Sequence, residues 1–245
     1  MKTYGLFGFP LTHSFSVKYF ADKFAEEGIV DCVYNNYAIE SVEELPDVIR
    51  QDHLVGFNVT IPYKEAVIEY LHEIDETADA IGAVNCVKIV DDRLIGYNTD
   101  AYGFTESLKR FIGDRKLSAL ILGSGGSSKA VAYALKVLDI PYRFVSRRKK
   151  AEWLTYNELT AEVMDAHKLI INTTPLGMFP NAENAPLLPY PLLTPEHFLF
   201  DLIYNPAETE FLHQGKEHGA NTINGLEMLH FQAVKNWEIW NTKTT

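Results

Sequence analysis

A chain of 245 residues, 47% of them hydrophobic, can bury one large core or two small ones and is too apolar to stay disordered. Its 22 Lys and Arg against 33 Asp and Glu leave a net charge of −11, which repels phosphate backbones and excludes a general nucleic-acid binder. No apolar run nears the roughly 20 residues that span a bilayer, and two lone cysteines, Cys32 and Cys86, make neither a metal motif nor a disulfide framework.

Short apolar runs alternate with helical stretches almost from end to end. Tyr4–Phe7 reads as a strand, Ser16–Glu27 as a helix, Val33–Ile39 as extended, Val42–Asp52 as helical and Leu54–Val59 as extended again. Pro62 predicts a further helix over 62–71, because its missing N–H costs nothing in a first turn. Ala83–Val90 and Arg93–Tyr97 flank Asp91-Asp92 and predict a hairpin. A connecting helix, Gly103–Phe111, opens a second series: Ser118–Leu122 as a buried parallel strand, Ser127–Leu138 as a helix, then Tyr142–Ser146, Trp153–Tyr156, Lys168–Asn172 and Phe198–Ile203 as extended. The loop 178–195 holds five prolines and is expected to be ordered surface, and Leu226–Trp240 is the last helix. Such alternation specifies an α/β fold of parallel βα units, here as two lobes meeting near residues 99–103. The opening stretch Met1–Pro10 has no signal peptide's apolar core, so the cytoplasm is the expected compartment and both thiols are expected reduced.

Gly123-Ser124-Gly125-Gly126-Ser127-Ser128 sits between an apolar strand and a helix, where glycines let the backbone approach a pyrophosphate resting on the helix N-terminus. Ser128 stands where the G-x-G-x-x-G pattern has its third glycine. An NAD site asks for an acidic residue about 20 positions on. This chain has Ser146-Arg147-Arg148-Lys149-Lys150 there, and four consecutive cations suit a 2′-phosphate, so NADP(H) is the expected cofactor. The bland alternatives are a strand-to-helix turn that binds nothing and a solvated basic turn.

Asn58-Val-Thr-Ile-Pro-Tyr-Lys64 runs off a strand into the helix expected at Pro62. That leaves Lys64 near a positive helix end, the wrong sign for stability and the right one for a group that trades protons. The other reading is an ordinary exposed lysine. Asp100, just ahead of the connecting helix, is either an N-cap or an acid/base partner for Lys64. Ser14 and Ser16 flank Phe15 before a helix, and capping explains one of them better than both. Asn85 adds an amide that needs partners if buried. Hydroxyls, amides, a lysine and an aspartate describe a site for a small polyhydroxy acid, with no metal-ligand cluster to compete.

These residues resemble the shikimate dehydrogenase family from Gly8 to Gln232. The resemblance rests on Ser14-Phe-Ser16, Asn58–Lys64, Gly82–Asn85, Gly96–Asp100, Gly123–Ser127, Asn172–Met178, Asp201–Pro206 and Gly225–Gln232, in the family's order. It implies NADPH-dependent reduction of 3-dehydroshikimate to shikimate on the route to chorismate and the aromatic amino acids. The implied fold is a substrate domain, 1–101 completed by helix 226–245, and a Rossmann-like NADP domain, 102–225. Lys64 is implied as proton donor and Asp100 as its partner. Ser14 and Ser16 would hold the substrate carboxylate, with Thr60, Asn85, Asp100, Tyr204 and Gln232 as further substrate contacts. Glu76, Gly123, Ser124, Gly125, Gly126, Ser127, Ser146, Arg147, Arg148, Leu202 and Gly225 would lie near the nucleotide.

Two departures stand out. The family's Asn-Arg-Thr-x-x-Arg after the second Rossmann strand is replaced by Ser146–Ala151, and the next strand-like run follows almost at once, so the crossover helix is expected to be missing. Tyr63 takes the place of a common histidine beside the lysine. The alternatives are a quinate or dual quinate/shikimate dehydrogenase and, outside the enzymes, a silent sensor of shikimate-like ligands. The expected partners are the small-molecule substrate alone, with no nucleic acid or membrane, for a monomer or homodimer.

Overall fold

The computed structural model describes residues 1–11 and 15–242. The chain forms two compact units, one of residues 1–99 and 233–242, the other Asp100–Gln232. The boundaries thus fall at 99/100 and 232/233, inside the last helix, where the sequence suggested 101/102 and 225/226.

The first unit runs β1 (Lys2–Gly8), α1 (Phe15–Glu26), β2 (Cys32–Ala38), α2 (Leu45–Asp52), β3 (Leu54–Val59), β4 (Glu73–Ile74), α3 (Glu76–Ile81), β5 (Cys86–Val90) and β6 (Arg93–Tyr97). Its sheet has the order β2-β1-β3-β5-β6-β4, with β1 parallel to β2 and β3, and β5 antiparallel to β3 and β6. Residues 4–8 are buried without a break because helices cover both faces of β1. On one face Tyr4, Leu6 and Tyr34 pack with Phe20 and Phe24 of α1 and with Trp240, whose indole donates to the Val87 carbonyl at 2.9 Å. On the other, Phe7, Phe57 and Val59 pack with Leu45, Tyr63 and Val67. The hairpin turns on Asp91 and Asp92 at φ 48° and 61°, the left-handed pair that a two-residue turn between twisted strands requires.

The helix expected over 62–71 does not form. The chain leaves β3 in turns and makes only a 3₁₀ helix, Ala66–Tyr70. Val67, Ile68 and Tyr70 are weak helix formers, and burial of Tyr63 and Val67, with the Tyr63 hydroxyl donating to the Ile39 carbonyl at 2.7 Å, decides the backbone instead.

The second unit opens with α4 (Asp100–Ile112) and continues β7 (Ala119–Leu122), α5 (Gly126–Val137), β8 (Tyr142–Ser146), β9 (Leu154–Thr155), α6 (Ala161–Ala166), β10 (Leu169–Asn172), β11 (Phe198–Asp201), α7 (Glu210–Glu217) and β12 (Asn221–Ile223). All its strands are parallel, in the order β12-β11-β10-β7-β8-β9. Residues 147–153 join β8 to β9 without a helix, and Trp153 stacks on Phe144 at 4.5 Å. The proline-rich loop is more than surface, because Leu188 and Leu193 enter the core beside Val145, Leu199 and Phe211. Helix α8 (Leu226–Asn241) begins in this unit and ends in the first. Among the described residues no helix is long and apolar enough to cross a membrane.

Candidate active site

In the first unit, β1, β3 and β6 end at one edge of the sheet and β5 begins there, the edge at which open α/β sheets place ligands. A chain of buried polar groups lines it. The Tyr34 hydroxyl donates to Asn58 Oδ1 at 2.8 Å, Asn58 Nδ2 to the Asn85 carbonyl at 3.0 Å, and Asn85 Nδ2 to Thr99 Oγ1 at 3.0 Å. Thr99 returns its amide to Asn85 Oδ1 at 2.7 Å and its hydroxyl to Asn236 Oδ1 at 2.6 Å. Ser16, at the head of α1, hydrogen-bonds Tyr34, whose phenol burial pushes up. Ser14 lies outside the described residues. Thr60 follows β3, its amide bonded to the Phe7 carbonyl at 2.8 Å.

Lys64 is half-buried in the turn beyond, and its carbonyl accepts from the Val84 amide at 2.7 Å, which brings it next to Asn85 in the chain's path. With the 62–71 helix gone, the helix field expected to act on Lys64 is gone too. Glu76, exposed in the first turn of α3, belongs to this unit, whereas the other nucleotide candidates belong to the second. Tyr34, Thr99 and Asn236 are the polar residues that sequence reasoning passed over. Tyr34 lies in β2, Thr99 in the link between β6 and the helix that follows, and Asn236 in α8, and no local pattern singles them out from their polar neighbours.

In the second unit the ends of β7, β8, β10 and β11 likewise share an edge. Gly123 takes φ +117°, and a Cβ there would lie 2.6 Å from Thr173 Oγ1. Gly125 caps α5, and a Cβ there would meet nothing within 4 Å. Ser124 and Gly125 are exposed, with Gly126 and Ser127 supplying first-turn amides that have no acceptor within a helix. This open, amide-lined turn fits a pyrophosphate. Ser128 is buried and turns its hydroxyl back onto the Gly125 carbonyl at 2.6 Å, which explains why the third glycine is dispensable. Ser146 closes β8, and Arg147 and Arg148 are exposed just beyond.

Asp100 is the first residue of α4 rather than a cap ahead of it, buried at 3% exposure, where a carboxylate suits the helix N-terminus. Helix α4 is tied to the start of α8, with Arg110 2.9 Å from Glu227. Tyr204 and Gln232 are half-buried in this unit, and Leu202 follows β11 against Gly225, whose amide donates to the Ile203 carbonyl at 3.0 Å.

Asp201 ends β11 fully buried. Burial pushes its carboxyl up to about 6, against hydrogen bonds from Thr209, the Ile203 amide and Asn172. The folded state therefore favours the protonated form, and this group's contribution to stability falls as pH rises from about 4 to about 6, then levels off. Moving from 3.8 to about 6 corresponds to about 3 kcal/mol. Asp201→Asn should gain stability relative to the parent across that window, read from urea midpoints at pH 4, 5, 6 and 7; a constant difference at all four would refute it.

Residues 6–87 match the family model described as the shikimate dehydrogenase substrate binding domain. The shikimate dehydrogenase (NADP(+)) of Methanococcus maripaludis strain C7 is 39% identical, over 98% of this chain and 91% of its own. A crystal structure of a shikimate dehydrogenase in complex with NADP+ superposes with a TM-score of 0.86 at 35% identity, covering 98% of this chain and 90% of the other. Shikimate 5-dehydrogenase from Thermus thermophilus, in complex with NADP(H) and shikimate, gives 0.87 at 31% identity, covering 98% and 94%.

Proposed function

The chain belongs to the shikimate dehydrogenase family, and on that premise we propose that it catalyses the reversible, NADP-linked reduction of 3-dehydroshikimate to shikimate in the synthesis of chorismate and the aromatic amino acids. The observation that carries the reading is the presence, in one such chain, of two things. One is a glycine turn open to a pyrophosphate. The other is a hydroxyl-and-amide cluster at the carboxyl ends of the first sheet.

NADPH, when bound, supplies the hydride. Orientation and the proton fall to this chain's own side chains. We assign the substrate to the first unit, with Ser14 and Ser16 on its carboxylate and Thr60 and Asn85 on its hydroxyls. Tyr204 and Gln232 add further contacts. Lys64 delivers the proton to the carbonyl oxygen, and Asp100 is its acid/base partner. We assign the nucleotide to the second unit. Gly123, Ser124, Gly125, Gly126 and Ser127 take the pyrophosphate, Ser146, Arg147 and Arg148 the 2′-phosphate, with Leu202, Gly225 and Glu76 completing the contacts. Two free cysteines support a cytoplasmic enzyme.

The test is absorbance at 340 nm with shikimate or quinate and NADP⁺ or NAD⁺ in all four combinations. Fast reduction is expected with shikimate and NADP⁺ alone. Faster turnover of quinate would overturn the substrate, preference for NAD⁺ the 2′-phosphate contacts, and silence with shikimate still bound the activity itself.

A further inference from the structure

With no helix between β8 and β9, the basic segment 147–150 needs other anchors, and the structure supplies three. Lys149 Nζ lies 2.5 Å from Glu158 Oε1. Glu158 is itself fixed, because its other oxygen accepts from the Thr155 amide at 2.7 Å and the Thr155 hydroxyl at 2.8 Å, closing the capping box of the short helix Tyr156–Glu158. Lys149, then Thr155, hold its carboxyl down to about 2, so it stays charged at any working pH. Lys150 Nζ stands 4.5 Å over the Trp153 ring, which rests on Phe144. Ser146 Oγ donates to the Arg148 carbonyl and folds the segment back onto the end of β8. Both lysines are thus committed within the protein, while Arg147 and Arg148 are exposed and contribute to these anchors only through the Arg148 backbone carbonyl.

Resting on the NADP reading above, we propose that Glu158 is a positioning residue: through Lys149 it pins the helix-less segment to the capping box, so that Arg147 and Arg148 are held ready for the 2′-phosphate and NADP is preferred over NAD. Coulomb's law by itself predicts the opposite sign. A carboxylate near a phosphate-reading segment repels the phosphate within a Debye length of about 8–10 Å, and removing it would also free Lys149 to bind. Positioning predicts a loss, because an unanchored segment must be ordered by the ligand at an entropic cost. The direction of the change therefore separates the two.

Glu158→Gln keeps an amide oxygen for Thr155 and gives Lys149 no charge. Limited trypsin digestion of the cofactor-free protein, with products sized by mass, reads the order of 147–150 directly. Dissociation constants for NADPH and NADH come from nicotinamide fluorescence. The variant is expected to be nicked about three- to fivefold faster and to bind NADPH about three- to fivefold more weakly, the scale of an exposed ion pair, with NADH unchanged. Lys149→Met should match it in cofactor binding, and Lys149→Arg, which keeps the pair, should behave as the parent. Unchanged nicking, unchanged or tighter NADPH, or equal loss of both coenzymes would overturn the proposal. A parent protein that holds NADH as tightly as NADPH would bring down the cofactor reading and this proposal with it, whereas a failure confined to the variants leaves the cofactor reading standing.

Discussion

Lys64→Ala is expected to lower turnover by about 10²–10⁴-fold, the contribution of a positioned acid/base, while shikimate binding changes far less. The fold should survive. The turn carrying Lys64 is held by backbone bonds, Tyr63 to the Thr60 carbonyl at 2.9 Å, Val67 to that of Tyr63 at 2.9 Å and Val84 to that of Lys64 at 2.7 Å, none of which the substitution removes. Tyr63 and Val67 stay buried beneath it. Lys64→Arg sharpens the test, because guanidinium keeps the charge but does not give up a proton near neutral pH. Loss of turnover in both variants, with folded spectra and retained shikimate binding, is the expected result. A Lys64→Arg enzyme at parental kcat would refute the proton-donor role and leave Lys64 as a charge alone.

Gly225→Ala should be the most damaging small substitution in the second unit. A Cβ there would lie 2.1 Å from the Leu202 carbonyl oxygen and 2.6 Å from its carbon, both backbone, so no rotamer change relieves the clash. The segment after β11 and the start of α8 must part. Overpacking of this kind costs about 1–3 kcal/mol, a fall of several degrees in Tm at about 2–4 °C per kcal/mol. Gly125→Ala is the contrast. Its φ of −91° suits any residue and a Cβ there meets nothing within 4 Å, so Tm should hold. The methyl nevertheless fills the opening assigned to the pyrophosphate, so NADPH affinity should drop at least tenfold, about 1.4 kcal/mol. Calorimetry and fluorescence titration on the two variants read both quantities. An unaltered Tm for Gly225→Ala, or undiminished NADPH binding for Gly125→Ala, would refute the respective arm.

Much of the fold was legible because its signals are local. Leu54–Val59 and Tyr142–Ser146 coincide with β3 and β8 to the residue, each being a β-rich run bounded by turn-forming neighbours. The hairpin was readable from Asp91-Asp92, and the missing crossover helix from the closeness of Trp153 to Ser146. The elements passed over, β4, α3, α6, α7 and β12, are two to eight residues long, too short for a period to emerge. The one false helix came from reading Pro62 as a helix start when the burial of Tyr63 and Val67 governs that stretch.

By itself the sequence determined the α/β class, the two series of strands, and the turn chemistry of residues 123–128. Those follow from alternation, glycine spacing and charge, which act over neighbouring residues. Only the tertiary structure decided which polar groups meet. Tyr34 reaches Asn58 across 24 residues, Asn58 reaches Asn85 across 27, and Thr99 reaches Asn236 across 137. Likewise Glu158 reaches Lys149 only because β9 lies against β8. Periodicity says which face of an element is buried, whereas strand order and register say what it is buried against, and buried polar groups take their partners from the latter.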